Sequence, residues 1–212
     1  MFQFSRMLTL SGPPDETMAW AAEITGVANA ASDVDVTCWV ALYGHPIGTV
    51  GWSARVEGRA QMAAMGAKLA SDKSYTKLVN RAADWVRTPG QDNFRRPLNP
   101  PATPPSGPPP IGAVAQVTTA VASAARIMDA MTWGLDMAEH TAGVSGLPVT
   151  FFADVYGQFG GVAWIGVQPD MAAADAADER LNGDAGYMER IGKLGDLFEP
   201  GSGNIALMTR IA

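Results

Sequence analysis

Apolar residues follow the same succession of strand and helix spacings twice along this chain. Stretches rich in β-branched and aromatic residues, such as Val34 to Tyr43, predict strands. Between them, Trp20, Ile24 and Val27 recur at the spacing of one helix face. The predicted order is strand, helix, two strands, two helices and a closing strand, over residues 4–10, 16–31, 34–43, 49–56, 59–70, 74–85 and 93–96. The second half repeats this order, over 114–121, a helix around Trp133, 149–156, 161–167, 171–181, 186–197 and 204–208.

The residues themselves also repeat. Residues 36–44 (VTCWVALYG) correspond to residues 149–157 (VTFFADVYG). Further pairs keep the same register: Trp20 and Trp133, Trp52 and Trp164, Leu69 and Leu181, Asp72 and Asp184, Tyr75 and Tyr187, Asp84 and Asp196. We therefore predict two repeats, residues 1–96 and 111–212, each with the β-α-β-β-α-β order of a ferredoxin-like unit.

The central strands are apolar on both faces. Cys38 and Val40 lie on one face of the predicted strand, and Trp39 and Ala41 lie on the other. A sheet with one face in water would place polar residues on that face. We therefore expect one face to pack on helices and the other on the sheet of the other half. The predicted fold class is α+β: two tandem ferredoxin-like βαββαβ repeats packed sheet to sheet as a pseudo-dimeric α+β barrel. The halves could pair within one chain or with a second copy, so a homo-oligomer is compatible with this pattern.

A proline-rich segment separates the two repeats. Eight of the fourteen residues from Pro97 to Pro110 are proline. Such a segment cannot enter a sheet or helix interior and favours extended polyproline II structure. We interpret residues 97–110 as a semi-rigid spacer, with a docking motif for an SH3-type partner as the alternative.

Composition narrows the function further. The chain is 47% hydrophobic and 17% charged, and its net charge is −6. This charge argues against a nucleic-acid partner, because such partners require a basic face. The N-terminus lacks the pattern of a signal peptide, and no run is long and apolar enough to span a bilayer, so we expect a cytoplasmic protein without a transmembrane segment. The single cysteine, Cys38, lies in an apolar strand and is expected to be a core residue.

An Asp-x-x-Tyr element follows an Ala-rich helix in both halves, at Asp72 to Tyr75 and at Asp184 to Tyr187. Together with the helix-borne tryptophan and the strand pair around a Tyr-Gly turn, this element resembles the dimeric α+β barrel superfamily. The resemblance is nearest to NIPSNAP-like and antibiotic-biosynthesis-monooxygenase-like domains, here in tandem. It implies cofactor-free oxygenation, haem chemistry, lactone isomerisation or no activity, and a ligand site between a sheet and its own helices. From the residues alone, each Asp is expected to cap the following helix, and each Tyr to pack at the sheet edge.

His140 is a candidate catalytic residue. It stands where the first repeat has Val27, and it follows Trp133 and Met137 along the predicted core-facing stripe. An imidazole there needs a hydrogen-bond partner or a ligand, and it could act as a general base. The alternative is a histidine that hydrogen bonds to a backbone carbonyl near the helix end.

Asp154 is the second candidate, since it replaces Ala41 in an apolar strand. A carboxylate in that position is costly unless it is paired or faces a pocket. If both side chains face a helix-side cavity, Asp154 could orient His140. Phe152, Tyr156 and Trp164 would then form aromatic ligand-binding walls. The alternatives are a water-exposed strand edge for Asp154 and an ordinary aromatic core.

Several chemistries lack their motifs in this chain. No dinucleotide-binding, phosphate-cradling or nucleophile-elbow motif is present, and no Cys/His cluster has metal-ligand spacing. The opening strands offer Gln3 and Gln116 where the haem-degrading relatives have an Asn. We therefore expect no cofactor and no metal.

Two hypotheses follow. The first is a small-molecule-binding barrel, a cofactor-independent monooxygenase or isomerase acting on a hydrophobic, aromatic or polyketide-like ligand. The second is a non-catalytic binding or assembly protein that uses the barrel as a scaffold.

Overall fold

The computed structural model of the chain describes residues 1–101 and 107–212. Each half has the predicted order of elements. The first contains β1 (Phe2–Thr9), α1 (Pro14–Ala31), β2 (Val36–Tyr43), β3 (Thr49–Val56), α2 (Arg59–Ser71), α3 (Lys73–Arg81) and β4 (Gln91–Pro97). The second contains β5 (Val114–Val121), α4 (Ile127–Ser145), β6 (Val149–Tyr156), β7 (Gly161–Gln168), α5 (Met171–Gly183), α6 (Ala185–Gly192) and β8 (Asn204–Arg210).

The eight strands close into one antiparallel barrel in the order β1-β3-β2-β8-β5-β7-β6-β4. Each half contributes four neighbouring strands, and two seams join the halves, where β2 pairs with β8 and β4 pairs with β6. Half a turn about the barrel axis therefore brings each strand onto its counterpart in the other repeat. The predicted pseudo-dimeric α+β barrel is confirmed, and both seams form within a single chain.

The long helices α1 and α4 pack on the outside of the barrel through the repeated tryptophans. Trp20 is buried, and its Nε1 donates to the Leu78 carbonyl at 2.9 Å. Trp133 Nε1 donates in the same way to the Arg190 carbonyl at 3.1 Å. Each indole thus joins the long helix of its half to the short helix that follows the Asp-x-x-Tyr element. Burying an aromatic side chain of this size contributes about 2 kcal/mol or more.

The two Asp-x-x-Tyr elements form the predicted helix caps. Asp72 accepts a hydrogen bond from the Tyr75 backbone amide at 2.8 Å, and Asp184 accepts one from the Tyr187 amide at 2.6 Å. Each carboxylate satisfies a backbone N–H group that has no partner within its helix.

The cores of the two halves differ at one pair of contacts. Cys38 is fully buried in the same core cluster as Ala21 in the first half, and burial raises the pKa of its thiol to about 12. The corresponding residues of the second half are Phe151 and Gly134. A Cβ atom at Gly134 would lie 2.3 Å from Cζ of Phe151, so the larger ring requires glycine on the helix. The predicted core position of Cys38 is confirmed.

The third predicted helix of the first half, residues 74–85, ends earlier than expected, at Arg81. The chain then turns, and Val86 forms an isolated antiparallel β-bridge with Leu10. In addition, the Ser11 amide donates a hydrogen bond to the Trp85 carbonyl. Pairing with the end of β1 therefore replaces the last helical turn. Within the described residues, no helix combines the length and the apolar composition needed to cross a membrane.

Candidate functional site

A cavity of about 1090 Å³ lies inside the barrel. All eight strands contribute lining residues, largely at alternate positions, because successive side chains of a strand point to opposite faces. The segment between β4 and β5 contributes Pro100, Pro101 and Pro108 to the lining. Part of the predicted spacer therefore lies along the cavity, whereas residues 102–106 of that spacer fall outside the described residues.

One part of the lining is apolar. Trp39, Ala115 and Met208 form a buried cluster, and Val117 and Val167 pack against it. Trp39 Nε1 donates to the Thr37 hydroxyl at 2.9 Å, which fixes the indole plane. Phe152, the counterpart of Trp39 in the second repeat, also lines the cavity, inside the barrel and not on the helix side where it was expected.

A buried ion pair lies in the lining at the seam between β4 and β6. Arg95 and Asp154 are directly opposite each other, and Arg95 Nε donates to Asp154 Oδ1 at 2.7 Å. The two side chains are only 10% and 6% exposed. Removing charges from water is costly unless they are paired, so each residue requires the other. A Cβ atom at Gly161 would lie 2.4 Å from Asp154 Oδ2, and a glycine there leaves room for the carboxylate.

The other seam has no such pair. At the equivalent position between β2 and β8, Ala41 lies opposite Met208. Both members of the pair therefore differ from their counterparts, and each polar residue replaces an apolar one. The barrel is nearly symmetric in its backbone but has one polar seam and one apolar seam.

Two glutamine amides extend the polar part of the lining. Gln168 is 5% exposed, and its Oε1 has no hydrogen-bond partner among the described residues. Gln3 Oε1 is likewise buried without a described partner. Gln3 on β1 lies opposite Arg95 on β4 and opposite Arg55 on β3. The amides and the ion pair thus offer both donors and acceptors to the cavity.

His140 lies outside the cavity, on the helix side of the sheet. Its Nε2 is 2.6 Å from Asp184 Oδ1, the same oxygen that caps α6. The hydrogen bond from His140 and that from the Tyr187 amide lower the pKa of the Asp184 carboxyl. The histidine therefore has a side-chain partner rather than the backbone carbonyl considered above, and it joins α4 to α6.

The predicted contact between His140 and Asp154 does not form. Asp154 points into the barrel and pairs with Arg95, whereas His140 pairs with Asp184 outside it. The two residues lie on opposite sides of the β-sheet. A shared helix-side cavity was the condition for this pairing, and the cavity lies between the two sheets instead.

The predicted aromatic walls separate in the same way. Trp164 faces α4, where its Nε1 donates to the Gly134 carbonyl at 2.9 Å and its ring stacks on Phe151. Tyr156 leaves the inner face because the pairing of β4 with β6 shifts between Phe94 and Arg95, and a bulge of this kind reverses the alternation of side chains. Its hydroxyl accepts from Arg59 Nη1 at 2.6 Å. Of the five predicted site residues, Phe152 and Asp154 line the cavity.

Arg95 is the site residue that the sequence analysis did not identify. Comparison of the two repeats could have identified it, since Arg95 stands where the other closing strand has Met208, just as Asp154 stands where the first repeat has Ala41. Only the pairing of β4 with β6 shows that the two replacements meet. Within residues 1–101 and 107–212, no three His, Cys, Asp or Glu side chains are grouped as a metal site would require.

Comparison with known proteins agrees with this architecture. No protein-family model matches the sequence, and no curated protein matches it. Among solved structures, a candidate monooxygenase from Fusobacterium nucleatum matches 100% of this chain and 92% of its own, with a TM-score of 0.69 and 8% identity. A candidate monooxygenase from Lactobacillus acidophilus matches 99% of this chain and 93% of its own, with a TM-score of 0.64 and 10% identity. An anthrone oxidase-like protein matches 100% of this chain and 91% of its own, with a TM-score of 0.67 and 8% identity.

These similarities, at such low identity, concern the fold. The chain has the α+β barrel fold of these structures, with both halves of the barrel in one polypeptide. The resemblance predicted from the sequence is confirmed at that level.

Proposed function

We propose that this chain binds a small hydrophobic or aromatic molecule in the barrel cavity. The observation that carries the proposal is the cavity itself, about 1090 Å³ in volume and lined mainly by apolar surface together with polar and charged side chains. Ligand pockets have this composition, and their volumes reach about 1,000 Å³. A barrel that served only as a scaffold would fill its interior with side chains.

The reaction we propose is cofactor-independent oxygenation or isomerisation of an aromatic or polyketide-like substrate. The three similar structures, two candidate monooxygenases and an anthrone oxidase-like protein, support this class. For oxygenation of a CH2 group that is conjugated with a ketone through aromatic rings, as in anthrone, a base removes a proton and an extended enolate forms. Dioxygen then oxidises the enolate carbon, leaving one oxygen atom as a carbonyl and releasing the other as water.

Arg95 and Asp154 are the residues that we assign to this chemistry. A guanidinium that lines the cavity can stabilise the enolate oxygen as charge develops on it. Asp154 is the carboxylate of the buried pair and the candidate for proton removal. His140 was predicted as the base, but its position beside Asp184 gives it no direct contact with a ligand in the cavity.

Binding without turnover is the alternative. The observation that favours it is the ion pair, because Arg95 holds Asp154 through Nε and can recognise a ligand through its other donors without any proton transfer. In that case the cavity would hold and release its ligand unchanged.

Anthrone is a suitable probe, since one molecule of anthrone and one of O2 give anthraquinone and water. We expect it to quench tryptophan fluorescence, because Trp39 lines the cavity. We also expect oxygen uptake above the spontaneous rate, falling about tenfold or more in the double variant Arg95→Met/Asp154→Ala. Arg96→Gln is the matched control, since Arg96 neighbours Arg95 but is exposed. Quenching without uptake would establish the non-catalytic alternative, and the absence of both would overturn the proposal.

A further inference from the structure

We infer that the ligand of the barrel cavity is an aromatic acid whose carboxylate binds to Arg95. This inference rests on the proposed function, because it names the class of molecule that the cavity would hold. Three features carry it: the unused donors of Arg95, the asymmetry between the two seams, and the unused carboxylate oxygen of Asp154.

The guanidinium of Arg95 uses one of its donors within the protein. Nε donates to Asp154, and among the described residues no atom accepts from either Nη. Arginine has five N–H donors, four of them on the two Nη atoms. The residue as a whole is 8% exposed and lines the cavity, so bulk solvent does not surround these donors. A planar carboxylate in the cavity can accept two parallel bonds from these free donors of the guanidinium.

The asymmetry of the barrel indicates that the pair has a purpose beyond closing the seam. Ala41 and Met208 join β2 to β8 at the equivalent position without any charge. Replacing a buried ion pair by apolar residues of similar volume is often neutral or stabilising. The polar seam is therefore not required for barrel closure, and its retention on one side is explained by recognition of a polar group in the cavity.

Asp154 adds a second requirement on the ligand. Its Oδ1 accepts from Arg95, whereas its Oδ2 has no hydrogen-bond partner among the described residues. A ligand hydroxyl next to the carboxylate can donate to this oxygen. Gln168 faces a different part of the cavity, because it lies seven residues along β7 from Gly161, which lies against Asp154. The apolar cluster of Trp39 and Met208 suits the ring system of the same molecule. The ligand class is thus a hydroxylated aromatic carboxylic acid.

The acidic residues of the lining do not oppose this assignment from within the barrel. Asp92 is held by Arg6 through two hydrogen bonds of 2.7 Å, and Asp33 is paired with Lys68. Asp35 precedes β2 and is exposed. Asp154, the remaining carboxylate, already accepts from Arg95 and keeps Oδ2 for a ligand hydroxyl.

The test compares 3-hydroxy-2-naphthoic acid with its carboxamide by titration calorimetry at pH 7, since the two differ only in the charged group. We expect the acid to bind at least about tenfold more tightly than the amide. The double variant Arg95→Met/Asp154→Ala, which copies the apolar seam, should lose this preference, and Arg96→Gln should keep it. Arg95→Lys retains the charge without the planar fork and should show a reduced preference.

The outcomes separate this inference from the proposed function. Equal affinity for acid and amide in the wild-type chain would overturn the inference while leaving small-molecule binding intact. A preference that persists in the double variant and in Arg95→Lys would also overturn it, because Arg95 would then not be the recognising group. If neither compound bound, the proposed function itself would be contradicted.

Discussion

At the scale of single residues, the account depends on Arg95 and Asp154. The sequence analysis identified Asp154 because a carboxylate in an apolar strand is exceptional. It could not identify the partner, because residues 95 and 154 are far apart in the chain and only the strand pairing brings them together. The alternation along β6 correctly grouped Phe152 with Asp154, but a bulge then moved Tyr156 to the other face.

Removing one member of this pair should cost more stability than removing both. Asp154→Ala leaves the Arg95 charge buried, and we expect the free energy of unfolding to fall by about 3 kcal/mol. The double variant Arg95→Met/Asp154→Ala should lower the free energy of unfolding by less, because Met208 and Ala41 already occupy the equivalent position of the other seam. Urea denaturation of both variants measures the difference. A double variant no more stable than Asp154→Ala would show that the pair is not energetically coupled.

The two helix caps allow a matched test of the contact between His140 and Asp184. The lowered pKa of Asp184 means that its ionised form stabilises the folded state, and this stabilisation is lost as the pH falls through the folded-state pKa. At pH 7, Asp184→Ala should therefore lower the melting temperature more than Asp72→Ala, whose carboxylate caps α3 without a histidine partner. The difference between the two decreases in melting temperature should shrink below about pH 4, where free carboxyl groups become protonated.

Melting curves from pH 7 to pH 3 measure this difference. Equal effects of the two substitutions at pH 7 would show that the hydrogen bond of His140 contributes no stability of its own.

At the scale of elements, order and type were predictable because the apolar spacing changes from strand to helix at the correct places. The packing of a helix on its sheet was not predictable, because it depends on side-chain volumes that complement each other at positions far apart in the sequence. Gly134 and Phe151 in one half replace Ala21 and Cys38 in the other, so a smaller helix residue accompanies a larger strand residue. The residue type at each position is explained only by its contact with the other residue.

Gly134→Ala should therefore destabilise the protein despite alanine's better helix propensity. The added Cβ meets three atoms of the Phe151 ring within 2.8 Å, and overpacking of this kind costs about 1–3 kcal/mol. Alanine recovers about 1 kcal/mol through propensity. Phe151→Cys alone should cost about 3 kcal/mol through the cavity that it leaves. In a double-mutant cycle, the variant that carries both substitutions should lose about 1 kcal/mol less unfolding free energy than the sum of the losses caused by the two single substitutions. Strict additivity would contradict the proposed complementarity.

At the scale of the whole molecule, the barrel was predictable because the central strands are apolar on both faces, so a second sheet had to cover them. The location of the cavity was not predictable from that argument. The same pattern is satisfied whether a space remains between sheet and helices or between the two sheets, and only the packed structure distinguishes these cases. Here Phe151 and Trp164 stack 4.7 Å apart and fill the space beneath α4, and the cavity lies inside the barrel.

The central claim is that a ligand binds inside the barrel beside Arg95, and not between the sheet and its helices. A crystal structure of the chain soaked with 3-hydroxy-2-naphthoic acid tests it most directly. The account predicts ligand density within the barrel, with the carboxylate in hydrogen-bond contact with both Nη atoms of Arg95 and the rings near Trp39. Density between the β6–β7 sheet and α4, near His140 and Trp164, with an empty barrel, would contradict it.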